Sequence, residues 1–296
     1  MIVDLGGFHI YAFGLPVRGP FPTREAAEQY EASPEFQNFL RRLRLDREDD
    51  DARVVYAAGG GGSVSTPAPP PPGPETISGL ILWVKASDLS QADGSYVNNL
   101  TDASGTGNNL NSTPNPNTAK FYNNQINGRP AIHYWYSGQP LYHVMTSAWK
   151  PSTPTSGECF CVCRSQADPT TDPAHGGIWS AGTAGVADHI PYQDGTVYLG
   201  WGRTTRPNIG NLAPDFSQWH RLNIWSATND YSFQVDGATV YSTASSTPGF
   251  ATTPSLGGNI TVTYAGYIAE YIQYNRKLTA PERASVNTYL TWRYGI

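Results

Sequence analysis

AGYIAEYIQYNRKLTAPERASVNTYLTWRYGI, residues 265–296, carries two periodicities in succession. Gly266–Leu278 is an apolar run of strand length, rich in aromatic and β-branched residues. Thr279 and Glu282 then stand three apart, the spacing of a capping box. Val286 and Leu290 follow one turn apart, so a short helix completes the stretch. Working outward, LILWVKA (80–86) reads as a buried strand. YSFQVDGATVYS (231–242) reads as a hairpin, with Tyr231, Phe233 and Val235 alternating into Asp236-Gly237, a favoured two-residue turn. Strand and turn signals recur at short intervals from residue 75 onward. They predict an all-β, two-sheet sandwich with a short C-terminal helix.

Composition agrees. Only 15% of the 296 residues are charged and 12% are aromatic, a mixture typical of loop-rich β proteins. A net charge of −5 argues against a general nucleic-acid surface, which needs a basic face. No apolar run is long enough to span a bilayer, so no membrane partner is expected. The first residues lack the basic leader of a secretory signal, which points to synthesis and retention in a cytoplasm until release. Cys159, Cys161 and Cys163 alternate along one strand, where neighbours on one face are poorly placed to bridge, and are expected to be buried thiols.

AAGGGGSVSTPAPPPPGPE (57–75) sets this β domain apart from what precedes it: a flexible glycine run leads into a stiff proline tract. Three parts are expected: a small α+β module over 1–58, a linker over 59–74 and the sandwich over 75–296. In the first, Ile2–Phe13 is strand-like. Thr23 caps a helix through Tyr30, and Ser33-Pro34-Glu35 starts another. Phe36, Phe39, Leu40 and Leu43 form one apolar stripe on it. A unit this small buries little apolar surface, so the stripe is read as a docking surface.

The β domain resembles a known family. LWVKASDLSQADGSYVNNLTDASGTGNNL (82–110) is similar to the opening of LamG-like, concanavalin A-like jelly-roll domains. Its turn residues are Leu100, Asp102, Ser104, Gly105, Gly107, Asn108 and Asn109. NGRPAIHY (127–134) and the closing strand and helix are similar to later landmarks of that family. The resemblance implies a curved antiparallel sandwich, commonly a carbohydrate- or protein-binding module and less often an enzyme. The family occurs in secreted bacterial proteins and in bacteriophage structural proteins.

These readings combine into an expectation: a bacteriophage virion surface protein, a capsid decoration or head fibre, made in the host cytoplasm. Residues 1–58 would hold a capsid or tail protein, and the jelly roll would offer adhesion to cell-surface glycans. Alternatives are a tail-fibre or baseplate receptor-binding protein, a purely structural capsid cement protein, and a bacterial surface lectin. A homotrimer would suit a fibre, although no heptad appears.

The chain is expected not to be an enzyme, because Glu75, Glu158, Glu270 and Glu282 show no alternating carboxylate pair. Glu270 is expected to be hydrogen-bonded structure. Glycan candidates are Trp135 and Tyr136 in HYWYSGQPLYH (133–143), and His189, Tyr192, Asp194, Trp201 and Arg203 in DHIPYQDGTVYLGWGRTTR (188–206). Aromatic faces with convergent polar groups suit a sugar ring. Asp102 and Asn108 offer oxygen ligands of the type Ca²⁺ prefers. Ordinary turn hydrogen bonds are the favoured role for them, and no cofactor is expected.

Overall fold

A computed structural model describes residues 69–113, 119–135, 142–145, 147–170 and 176–296, together with the backbone of three strands nearer the start. The chain divides into two units, Met1–Pro69 and Pro70–Ile296. In the first, Phe8–Ala12 lies between Leu15–Phe21 and Val55–Ala58 in an antiparallel sheet. The expected helices and docking residues Phe36, Phe39, Leu40 and Leu43 lie outside the described residues, as does Tyr136.

The second unit is the sandwich, built from two antiparallel sheets and one helix. One sheet of nine strands runs in space Ala238–Thr243, Asp230–Val235, His220–Ala227, Gly157–Ser165, Gly266–Tyr274, Arg129–Tyr134, Ala119–Ile126 and Tyr96–Val97. The closing strand Gly266–Tyr274 is long enough to take two partners on one side. Gly266–Ile268 pairs with Arg129–Tyr134, and Glu270–Tyr274 pairs with Leu80–Lys85. The second sheet runs Asn208–Asn211, Thr196–Tyr198, Asp188–His189, Gly177–Gly182, Phe250–Leu256, Tyr142–Met145, Leu110–Thr113 and Asn99–Leu100.

Local chemistry sets these elements. Asp236 (φ 52°) and Gly237 (φ 86°) make the predicted hairpin turn, closing Val235 onto Ala238. Cys159, Cys161 and Cys163 are free and fill the space between the sheets, while Phe160 and Val162 face the other way. In the closing strand a bulge opposite Val162 and Cys163 shifts this phase. Ile268 and Tyr271 consequently both enter the inter-sheet core, and Ala269 and Ile272 both face the helix.

That helix, Ala280–Tyr294, has the predicted capping box: the Thr279 side chain accepts from the Glu282 amide, and Glu282 accepts from the Thr279 amide. It ends at Gly295 in the left-handed conformation. Val286, Tyr289, Leu290 and Tyr294 form its buried stripe, packed on Trp83, Phe160 and Ile272 on the outer face of the nine-stranded sheet.

Candidate functional site: an aromatic cleft at the sheet edge

Along Thr196–Tyr198 and onward, Val197 and Leu199 point into the inter-sheet core, so Tyr198 between them faces outward. The same alternation buries Ile190 and turns His189 out. The two strands are neighbours, with His189 opposite Tyr198. Tyr192, three residues beyond His189, completes a ring cluster at the edge of the eight-stranded sheet. His189 and Tyr192 meet edge to face at 4.9 Å, and Tyr192 and Tyr198 do so at 5.4 Å.

Arg206 fixes the cluster. Its guanidinium lies 4.7 Å above the Tyr198 ring and donates to the Ala187 carbonyl at 3.0 Å and to His189 Nδ1 at 2.7 Å. Arginine can only donate, so Nδ1 accepts and the neutral imidazole carries its proton on Nε2. Val186, Ala187, Thr261 and Val262 complete the lining, mostly aliphatic, around about 460 Å³. Asn259 holds the Thr261 turn, its Oδ1 accepting from the Thr261 amide and hydroxyl and from the Val262 amide. Beneath the cleft, buried Asp188 accepts from Trp179 Nε1 at 2.8 Å and from the Gly200 amide at 2.6 Å. Burial raises its carboxyl to about 7, against the pull of those donors.

The expected glycan residues divide. His189 and Tyr192 line the cleft. Asp194 stands in the adjoining exposed turn, its Oδ1 accepting from the Thr196 amide and hydroxyl. Trp201 is a correction: it is fully buried, bonds Tyr271 Oη at 3.0 Å and packs edge-on to Phe250 at 5.3 Å. Its flanking glycines permit close packing instead of loop exposure. At Gly202 (φ 61°) a Cβ would fall 2.6 Å from the Phe250 ring. Arg203 is also buried, 4.6 Å over the Tyr231 ring with an N–H to the Ser245 carbonyl, and is unavailable to a sugar. Trp135 lies half-buried just after Arg129–Tyr134, a strand of the other sheet. Tyr198 and Arg206 were the residues to add. Tyr198 is legible from the alternation in Val197-Tyr198-Leu199, whereas Val186 and Val262 reach the cleft only through the fold.

The oxygen-rich turn does not fit a cation. Asp102 Oδ1 accepts from the Trp83 and Ser104 amides, and Oδ2 accepts from the Ser104 and Thr106 hydroxyls and the Asn108 amide. Asn108 Oδ1 accepts from the Lys150 amide. A cation would have to displace these donors. Among the described residues no cluster of three metal-ligating His, Cys, Asp or Glu side chains occurs.

Two carboxylates are buried between sheet and helix. Glu270 accepts from Trp83 Nε1 at 2.6 Å and Tyr294 Oη at 2.7 Å, with Arg293 at 3.3 Å. Burial raises its carboxyl despite Arg293. Glu158 takes a two-pronged contact from Arg283 at 2.5 and 2.8 Å and the Leu278 amide at 2.8 Å.

No protein-family model matches this chain, and no curated protein does. Solved structures of similar fold include Trypanosoma rangeli sialidase bound to the inhibitor DANA, with 13% identity, TM-score 0.49 and coverage of 73% of this chain and 33% of the sialidase. Domain 4 of an extracellular arabinanase from Geobacillus stearothermophilus, solved with arabinotriose, gives 15% identity and TM-score 0.48, covering 71% of this chain and 98% of that domain. An α-L-arabinofuranosidase gives 13% identity and TM-score 0.46, covering 72% of this chain and 59% of that one. This chain thus spans about a third of the sialidase it matches. At such identities the likeness concerns the fold alone. The expectation that the chain is not an enzyme is nevertheless corrected: glycosidases stand among the structures of similar fold, and that expectation is withdrawn.

Proposed function

We propose that the sandwich is a glycan-binding module and that its site is the cleft of His189, Tyr192, Tyr198 and Arg206. One observation carries this reading: two tyrosine rings and aliphatic side chains meet a fixed guanidinium and an imidazole in one concave place. Apolar faces stack on sugar C–H groups while a few placed polar groups read hydroxyls. A glycan array probed with the full chain, displayed multivalently, tests it. Tyr198→Ala should abolish the signal while shifting Tm by no more than a few degrees, since the ring is only partly buried. Retention of full binding by that variant would sink the assignment.

The setting of this module is proposed as the surface of a bacteriophage particle, with residues 1–58 as the attachment to a capsid or tail protein. Its support is the division of the chain into two units joined through a glycine- and proline-rich stretch. Membership of the LamG-like family is proposed on the motifs at 82–110, 127–134 and 265–296. A chain lacking residues 1–58 should fail to join particles; its recovery on purified virions would overturn the attachment role.

A further inference from the structure

The outer face of the nine-stranded sheet carries a second aromatic group, beyond the part the helix covers. Register aligns five side chains of five strands in one transverse row. Tyr96 stands opposite Lys120, Lys120 opposite His133, His133 opposite Tyr267, and Tyr267 opposite Arg164. Their strand neighbours Phe121, Ile132, Tyr134 and Ile268 fill the inter-sheet core, so this row faces away from it.

The row is stacked. His133 and Tyr267 lie 4.3 Å apart and 18° from parallel, and Trp135 lies 5.9 Å from His133 on its other side. The Arg164 guanidinium sits 4.4 Å above Tyr267 and 5.5 Å from Trp219. Lys120 Nζ is 5.2 Å from Tyr96 and 5.5 Å from Trp135. Tyr96 is 43% exposed, and the other rings are half-buried.

Neither cation has a carboxylate partner among the described residues, and Arg164 Nε is buried without an acceptor. His133 adds no charge near neutrality, because burial first, and then Arg164 and Lys120, hold its pKa at about 4. Two cations without a carboxylate among the described residues therefore stand on a protein of net charge −5, three strand spacings apart, about 14 Å at roughly 4.8 Å each.

We propose that this face binds an acidic polysaccharide lying across the row of Tyr267, His133 and Trp135, with its oxyanions held by Arg164 and Lys120. The guanidinium is pre-oriented by its stack and suits a carboxylate or a sulfate. Sparse charge favours a glycan over a polyphosphate, whose binding rises with each phosphate neutralised. The inference rests on no part of the cleft reading.

The test uses the full chain and calorimetry with four probes: oligogalacturonate, a heparin-derived oligosaccharide, neutral dextran oligomers and oligo-dT. Binding of oligogalacturonate, of the heparin oligosaccharide, or of both is expected; which of them binds distinguishes carboxylate from sulfate. That binding should weaken with rising ionic strength and fall at least about tenfold in Arg164→Gln and Trp135→Ala. Tyr198→Ala, which disables the cleft, should leave it unchanged. Lys120→Gln, at the margin of the patch, keeps the test usable if Arg164→Gln lowers Tm. The proposal is overturned if neither acidic sugar binds, if oligo-dT alone binds, if dextran binds equally well, or if the Lys120, Arg164 and Trp135 variants bind normally.

Discussion

Two ends of one sheet face share a composition and differ in how their charges are completed. Under the helix, two arginines lie against aromatic rings and pair with buried carboxylates. Arg283 stands 4.1 Å over Trp225 and grips Glu158, and Arg293 pairs with Glu270 beside Tyr289 and Tyr294. Beyond the helix, Arg164 lies over Tyr267 in the same manner and finds none among the described residues. The contrast separates structure from availability. Arg283 and Arg293 are spent on the fold by carboxylates of their own chain, whereas Arg164 retains donors for an outside anion.

The largest effect should come from breaking the covered end. Glu158→Ala leaves the Arg283 guanidinium without its buried partner and should cost about 3–5 kcal/mol in denaturant unfolding. A loss under about 1 kcal/mol would mean that water reaches the pair and would blur the distinction between the two ends. Trp201→Ala should cost a comparable 3–5 kcal/mol or so, as truncation of a fully buried ring does. A nearly unchanged Tm would restore Trp201 as an exposed platform.

A pH titration sharpens the comparison from the buried side. His143 lies in the core between Tyr134 Oη, which donates to Nδ1, and the Val97 carbonyl, which accepts from Nε2. Burial lowers its pKa to about 4, as it does for His133 at the open end. Between pH 6.5 and 4 the unfolded chain takes up protons these folded imidazoles refuse. Their contribution is complete above 6.5 and is lost as pH falls toward 4. Asp188 acts oppositely: its raised carboxyl contributes stability at low pH that is lost as pH rises from about 4 to 7. Tm of His143→Gln against the native chain isolates the first effect. The variant should be less stable at pH 7 and lose less on acidification; an identical slope would assign the acid sensitivity elsewhere.

The smallest stability effect is predicted at the open end. Arg164→Gln breaks no ion pair among the described residues and should change unfolding free energy by under about 0.5 kcal/mol while weakening acidic-sugar binding at least about tenfold. A loss approaching that of Glu158→Ala would show that Arg164 holds the fold together instead.

Much of the architecture was legible. The capping box at Thr279 and Glu282, the Asp236-Gly237 turn and the cysteine alternation all appear where local pattern places them, because each depends on neighbours within a few residues. Glu270 too has the hydrogen-bonded role expected of it. The strands Leu15–Phe21 and Val55–Ala58 were not anticipated: the first follows Phe8–Ala12 without an Asn-Gly or Asp-Gly turn signal, and the second pairs with it from far along the sequence.

The candidate site was half legible. His189 and Tyr192 could be chosen as an aromatic and polar cluster, and the cleft contains them. Trp201 misled because flanking glycines look the same whether they loosen a loop or allow a backbone to press against Phe250. Only distant contacts tell those cases apart.

By itself the sequence determined the periodicities, the turns and the caps, and with them an all-β sandwich closed by one helix. These follow from short-range sterics and hydrogen bonding, which neighbouring residues settle among themselves. The tertiary structure alone decided which aromatics are core and which are surface. It brought Val262 to His189, gave Glu158 to Arg283 and set Arg164 over Tyr267 with no carboxylate among the described residues. Burial and charge pairing are properties of residues far apart in the chain, and only sheet register and the packing of the helix bring them together.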